Sequence, residues 1–237
     1  MKLSVVIPCY NEEGCIKNTL IKINKFLKKN KKVEDYEIIC VDDGSLDSTR
    51  EIITKIMRSN VHIKINRKRE NKGKGFSVKE GILLARFPYI LVSDADLSTP
   101  ITELNKFLDC LDYDIVVGSR NLRESIVKRS LIRKITGRIY TKIVQLVLGL
   151  GFKDTQCGFK LFKKDVAKEL VKKQKINGFA FDAELLFLAK KKNYKIIEIP
   201  VKWKEAKKTS INLLKHGFIM LKDVFRIKFD CSRLCCD

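Results

Sequence analysis

Tyr89-Ile90-Leu91-Val92-Ser93-Asp94-Ala95-Asp96-Leu97-Ser98-Thr99-Pro100 is a short apolar run that ends in two carboxylates with one small residue between them. A run of this length and composition predicts a buried strand, with Pro100 opening a new segment. Asp94 and Asp96 then stand at the carboxyl end of that strand, the edge at which open α/β sheets bind ligands. Two carboxylates at i and i+2 on a bending strand end can hold one hard divalent cation, which neutralises a diphosphate. The competing reading makes Asp96 the N-cap of a helix beyond Pro100.

Upstream, the chain alternates. Leu3-Ser4-Val5-Val6-Ile7-Pro8 predicts a first strand, followed by a helix reaching about Lys29 with Ile16, Leu20, Ile23 and Leu27 at helical spacing. Glu37-Ile38-Ile39-Cys40-Val41 is a second strand, ending in the turn Asp42-Asp43-Gly44-Ser45 and a helix capped by Asp47 or Ser48. His62-Ile63-Lys64-Ile65 is a third, and Asn71-Lys72-Gly73-Lys74-Gly75 opens the helix that follows. That loop is neither a Walker A sequence nor a Rossmann fingerprint; it reads as a phosphate-facing basic loop or an ordinary basic turn. Strand and helix in alternation predict a doubly wound, mostly parallel α/β sheet.

Downstream, Asp114-Ile115-Val116-Val117-Gly118 delivers Ser119 and Arg120 to the same edge. Residues 126–150 carry six Lys/Arg and no acid, with Ile132, Ile135, Ile139, Ile143 and Leu146 at helical spacing. This predicts one amphipathic helix, either at the interface of an anionic membrane or packed on the core with a solvated basic face. Asp154 to Phe162 is a loop and strand, and Asp182 and Glu184 fall in the first turn of a later helix, where compensation of the helix dipole alone could explain them. Lys195 to Val201 is a last strand. A second basic amphipathic helix over 211–229 aligns Leu214, Phe218, Leu221 and Phe225.

The 237 residues are 45% hydrophobic, enough for one large core. Lys+Arg outnumber Asp+Glu 49 to 28, a net charge of +21, which favours an anionic partner unless the excess is solvated lysine on helix faces. The eight cysteines form no CxxC pair and no cluster with His62 or His216, so neither zinc nor a disulfide framework is expected, and a reducing, cytoplasmic setting fits. The amino terminus enters a strand directly, so no signal peptide is expected, and no apolar run is long enough to span a bilayer. Palmitoylation is chemically possible at Cys231, Cys235 or Cys236; free thiols are the simpler reading.

Pro8-Cys9-Tyr10-Asn11-Glu12, Val41-Asp42-Asp43-Gly44-Ser45, Asn71-Lys72-Gly73-Lys74-Gly75 and Asp94-Ala95-Asp96, in that order, resemble the family 2 glycosyltransferases of the GT-A fold. Val117-Gly118-Ser119-Arg120, Asp154 through Phe162 and Phe179 through Leu186 look like the dolichyl-phosphate β-glucosyltransferases and their polyprenyl-phosphate relatives. One departure stands out. The eukaryotic glucosyl enzymes carry an amino-terminal membrane anchor, whereas this sequence opens on its first strand.

The resemblance implies a single domain over 1–237: a nucleotide-binding half (1–97), an acceptor half (98–205) and an amphipathic C-terminal helix and tail (206–237). It implies transfer of a hexose, glucose before mannose, from a nucleotide sugar to a polyprenyl or dolichyl phosphate, with inversion. Asp96 would ligate Mg²⁺ or Mn²⁺, with Asp94 on the metal or the ribose. Pro8, Tyr10 and Glu12 would line the nucleotide pocket, Asp42 would read the base, and Lys74 would lie near the nucleotide. Asp182 would orient a sugar hydroxyl or the acceptor, with a base role second. Arg120 and Arg133 are candidates to position the acceptor phosphate, or are surface charge. The expected partners are the donor, the lipid phosphate and an anionic membrane surface at its cytosolic face (the endoplasmic reticulum in a eukaryote). A saccharide acceptor is the alternative enzyme reading. With no RNA or DNA module in the sequence, nucleic acid is not expected.

Overall fold

The computed structural model describes residues 1–128, 130–205 and 213–233, with the side chains of 131–133, 213–216 and 231–233 outside that description. In chain order the elements are β1 (Lys2–Cys9), α1 (Ile16–Lys29), β2 (Asp35–Asp42), α2 (Thr49–Arg58), β3 (Ile63–Arg67), α3 (Lys74–Leu84) and β4 (Tyr89–Val92). A 3₁₀ turn (Ile101–Glu103) then leads into α4 (Leu104–Phe107), β5 (Ile115–Ser119), β6 (Ile126–Lys128) and α5 (Leu131–Leu148). The chain ends with β7 (Lys160–Lys163), α6 (Lys164–Lys173), α7 (Phe181–Lys191), β8 (Ile196–Pro200), β9 (Lys202–Lys204) and α8 (Leu213–Arg233).

The main sheet runs β3-β2-β1-β4-β7-β5-β8, parallel except for β7, which is antiparallel to both β4 and β5. Its central strands β1, β4 and β5 are apolar on both faces because helices cover both. Alternate residues go to opposite cores: Val6, Ile39, Val41, Ile90 and Val92 pack with α3, α6 and α7, whereas Leu3, Val5, Ile7, Ile38 and Leu91 pack with α1 and the 101–108 segment. The GT-A-like architecture expected from the motifs is the one observed.

Three local expectations are corrected. Residues 126–150 are not one helix. Ile126-Val127-Lys128 is β-branched enough to form a ladder, and it pairs in parallel with Lys202–Lys204, a strand that periodicity did not pick out. The helix begins only at Leu131. Beyond Pro100 a 3₁₀ turn stands first, and no side chain caps it. Asp96 instead accepts the Ser98 N–H and Oγ–H, each at 2.8 Å, so it closes its own turn and caps no helix. Finally, the reading that packs the bulky apolar stripes of the two basic helices on the core does not hold: among the described residues most of each stripe faces outward. In α5 the buried residues are Val144 and Leu148, while Ile135 and Ile139 are exposed and Leu146 is 83% exposed; in α8 Val224 and Ile227 are buried, while Phe218 is 75% exposed. The helices pack on each other through this narrower seam. Among the described residues no helix is long and apolar enough to cross a membrane.

Candidate active site

Every parallel strand presents its carboxyl end to one edge, and β7, running the other way, contributes its first residue there: Lys160 lies opposite Val92 and Val117. At the β1–β2 corner the chain after Cys9 is tied to the loop after β2. The Asn11 N–H donates to Ser45 Oγ (3.0 Å), Leu46 N–H to Asn11 Oδ1 (2.8 Å) and Glu12 N–H to Thr49 Oγ1 (2.7 Å). Asn11 reaches this geometry at φ 56, in the left-handed region that Asn tolerates better than most residues. Pro8 is buried within β1, opposite Val41, while Tyr10 and Glu12 are half-buried beyond its end.

Asp42 stands where expected but has no exposed surface. Arg50 Nε holds its Oδ2 at 3.1 Å and the Ser45 N–H donates to its Oδ1 at 3.0 Å, so its carboxylate presents no open edge for reading a base. Its neighbour Asp43, which was not singled out, accepts the N–H groups of Lys72 (3.1 Å) and Gly73 (2.8 Å) and so docks the Gly/Lys loop against β2. Gly73 sits at φ +105, with Asn177 O so close that a Cβ would collide. That close approach starts α3 with Lys74 aimed at β4.

Lys74 Nζ reaches Asp94 Oδ1 at 2.6 Å. Burial works against ionisation of Asp94, yet Lys74, Lys160 and Arg120 together hold its carboxyl below the ordinary aspartate range. Gly158 lies against Asp94 with no room for a Cβ. Asp96 behaves oppositely: burial and the charge of Asp94 push it up. Glu12 is raised for the same reasons, burial first and then the charges of Asp96 and Asp94. Three mutually repelling carboxylates therefore face one place. Among the described residues no cluster of three or more His, Cys, Asp or Glu side chains is arranged to enclose a metal. One or two carboxylates completed by substrate phosphates is how Mg²⁺ is commonly held. The donor set fits such an ion.

Behind this floor, Lys160 (1% exposed) forms an ion pair with Asp182 (4% exposed) and donates to Cys157 O at 2.6 Å. Burial raises the Asp182 carboxyl, against the pull of Lys160 and Lys74. Asp182 thus joins the same charge array as Asp94. Lys160 was overlooked, although a lysine between Phe159 and Leu161 in a central strand is a signal that a buried partner must exist. Glu184 does not face the site; it accepts the N–H groups of Lys175 and Ile176.

Arg120 is claimed by Asp154, which takes its Nε at 2.7 Å, its Nη2 at 2.9 Å and its backbone N–H at 2.9 Å. The Asp154 and Lys153 N–H groups in turn donate to Glu198, and the guanidinium lies 5.5 Å from the Trp203 ring. Arg120 therefore forms one wall of a cleft of about 660 Å³ whose lining, among the described residues, includes Arg123, Lys134, Arg138, Lys142 and Lys153 and no acid. The side chain of Arg133 lies outside the described residues, as do those of Cys231, Cys235 and Cys236.

Residues 4–171 match the glycosyl transferase family 2 profile. The chain is 38% identical over 241 residues to the dolichyl-phosphate beta-glucosyltransferase of Dictyostelium discoideum, covering 96% of this chain and 74% of that protein. It is 32% identical over 242 residues to the Homo sapiens dolichyl-phosphate beta-glucosyltransferase, covering 96% and 75%. Among solved structures, glucosyl-3-phosphoglycerate synthase from Mycobacterium tuberculosis in complex with UDP superposes with a TM-score of 0.66 at 18% identity, over 97% of this chain and 79% of that one. Mannosyl-3-phosphoglycerate synthase from Rubrobacter xylanophilus gives 0.69 at 15% identity, over 99% and 74%. With that fold, that carboxylate edge and a match over most of its length, the chain belongs to glycosyl transferase family 2.

Proposed function

We propose that this protein transfers glucose from UDP-glucose to a polyprenyl or dolichyl phosphate at the cytosolic face of a membrane. The observation that carries the reading is the division of the edge into two chemistries: the carboxylates Glu12, Asp94 and Asp96 on one side, and the basic cleft beyond Arg120, with no acid among its described residues, on the other. The first suits a cation with a nucleoside diphosphate, the second a phosphate acceptor. The relatives named dolichyl-phosphate beta-glucosyltransferase favour glucose over mannose and a lipid phosphate over a saccharide acceptor.

Asp96, helped by Asp94, would hold Mg²⁺ or Mn²⁺; when bound, the ion offsets the charge that develops on the leaving diphosphate. Pro8, Tyr10 and Glu12 border the nucleotide side, and Lys74 keeps Asp94 ionised. The acceptor is already an anion near neutral pH, with a second pKa of ~6. One of its phosphate oxygens bonds to C1 of the sugar as the bond from C1 to the diphosphate oxygen breaks, and the nucleoside diphosphate leaves with the electron pair. The configuration inverts and no proton has to move. Asp182, enclosed with Lys160, suits a positioning role more than that of a base reaching an acceptor hydroxyl, which a saccharide acceptor would require. The outward-facing Ile135, Ile139, Phe218 and Phe225 beside basic residues suit an interfacial setting, because a polyprenyl tail stays in its bilayer.

Incubation with a panel of labelled nucleotide sugars and polyprenyl phosphate, followed by organic extraction, tests this. UDP-glucose label should enter the organic phase, and Asp96→Ala should abolish the signal without unfolding the protein. Label that moves only to saccharides, or from GDP-mannose alone, would replace the reading.

A further inference from the structure

The basic cleft holds more charge than a single acceptor phosphate can neutralise. Arg120 is balanced by Asp154, but among the described residues Arg123, Lys134, Arg138, Lys142 and Lys153 take part in no ion pair, and no acid lines the cleft. A phosphate monoester brings at most about two negative charges. Five cations against two leave roughly three open to a second anion. The spacing agrees. Lys134, Arg138 and Lys142 repeat every four residues along one side of α5, so the first and last stand about 12 Å apart along the axis. One phosphate does not span that row.

Beside the row, on the same helix, run the exposed Ile135, Ile139 and Leu146. A cationic stripe edged by outward apolar side chains is matched by one kind of surface: negatively charged headgroups above acyl chains. We infer that the Arg138–Lys142 part of this cleft is a binding site for the headgroup of an anionic glycerophospholipid. Bound there, that lipid holds the cleft against the bilayer that carries the acceptor phosphate. The inference rests on the lipid-phosphate reading above for its purpose, not for its measurement.

The test uses the whole chain and vesicles without polyprenyl phosphate, so that it is independent of transfer activity. Sedimentation is measured with phosphatidylcholine alone and with about one-fifth phosphatidylglycerol added, at fixed ionic strength. Binding should require the anionic lipid. Arg138→Gln with Lys142→Gln should lower partitioning about thirty-fold, from two near-surface cations. Lys172→Gln with Lys173→Gln, equal in charge but at the end of α6, should change it little. Both pairs should keep UDP affinity and unfolding temperature. Equal losses from the two pairs would mean a diffuse field and overturn the site. So would absence of binding to the anionic vesicles, or binding that needs polyprenyl phosphate and ignores phosphatidylglycerol. Failure of the organic-phase assay with vesicle binding intact would instead sink the proposed reaction and leave the headgroup site standing.

Discussion

Lys160→Met is the most informative perturbation of the charge array. The substitution keeps the volume of an unbranched side chain but removes the cation facing Asp182, whose side chain is almost wholly enclosed. It also strips Cys157 O of its 2.6 Å donor. Breaking one side of a buried ion pair costs about 3–5 kcal/mol, because the remaining charge is stranded. For a chain of this size, each kcal/mol is worth roughly 2–4 °C, so the unfolding temperature should fall by about 6–20 °C. The loss should deepen as pH rises above the ordinary aspartate value of ~3.9. Asp182, already raised by burial, then gives up a proton it would rather keep, and a group with a raised folded pKa costs stability above that pKa. Lys160→Met with Asp182→Leu removes both charges and should regain most of the stability, while UDP-sugar turnover stays lost. Thermal and urea unfolding of the wild type, both single variants and the double variant give the coupling directly. A single-variant loss below about 1 kcal/mol, or a double variant no better than Lys160→Met, would refute the argument that Asp182 depends on this lysine.

Two further outcomes follow from the same geometry. Gly158→Ala places a methyl group against the Asp94 carboxylate, so Asp94 must leave Lys74; stability should drop by about 1–3 kcal/mol while turnover falls far more, as steady-state kinetics beside calorimetry would reveal. The acid limit of the fold should be set by carboxylates such as Asp154 and Glu37. Despite burial, Arg120 and nearby N–H groups hold Asp154 low, and Lys64 with the Arg86 N–H and Ser4 holds Glu37 low. Groups depressed in the fold contribute stability above their unfolded value, ~3.9 for Asp, and lose it as pH falls through the folded value. Melting should therefore collapse below about pH 4, and Asp154→Asn, weaker at neutral pH, should lose less over that range.

The strand expectations were close for a physical reason: both faces of the sheet's centre are covered, so β1, β4 and β5 are continuous apolar runs visible in any short window. The same holds for Asp94 and Asp96, whose position depends only on the local strand end and turn. The short strands β6 and β9 left no such trace. Each has three residues, and each is a strand only because the other, more than seventy residues away, supplies its hydrogen bonds. The outward apolar faces of α5 and α8 were legible as stripes, but periodicity cannot say which stripe meets a neighbour. The shared core that buries Val144, Leu148, Val224 and Ile227 settled that.

The amino-acid order alone determined the alternation of strand and helix, the edge at which chemistry would gather, and the carboxylate doublet there, because these depend on neighbours a few residues apart. Tertiary structure decided which charges meet. Reversal of β7 brings Lys160 to Asp182, the loop before it brings Asp154 to Arg120, and Asp43 docks the loop that aims Lys74 at Asp94. Those pairs are 20 to 34 residues apart along the chain. Contacts at that range belong to strand order and direction, which no local pattern of side chains encodes.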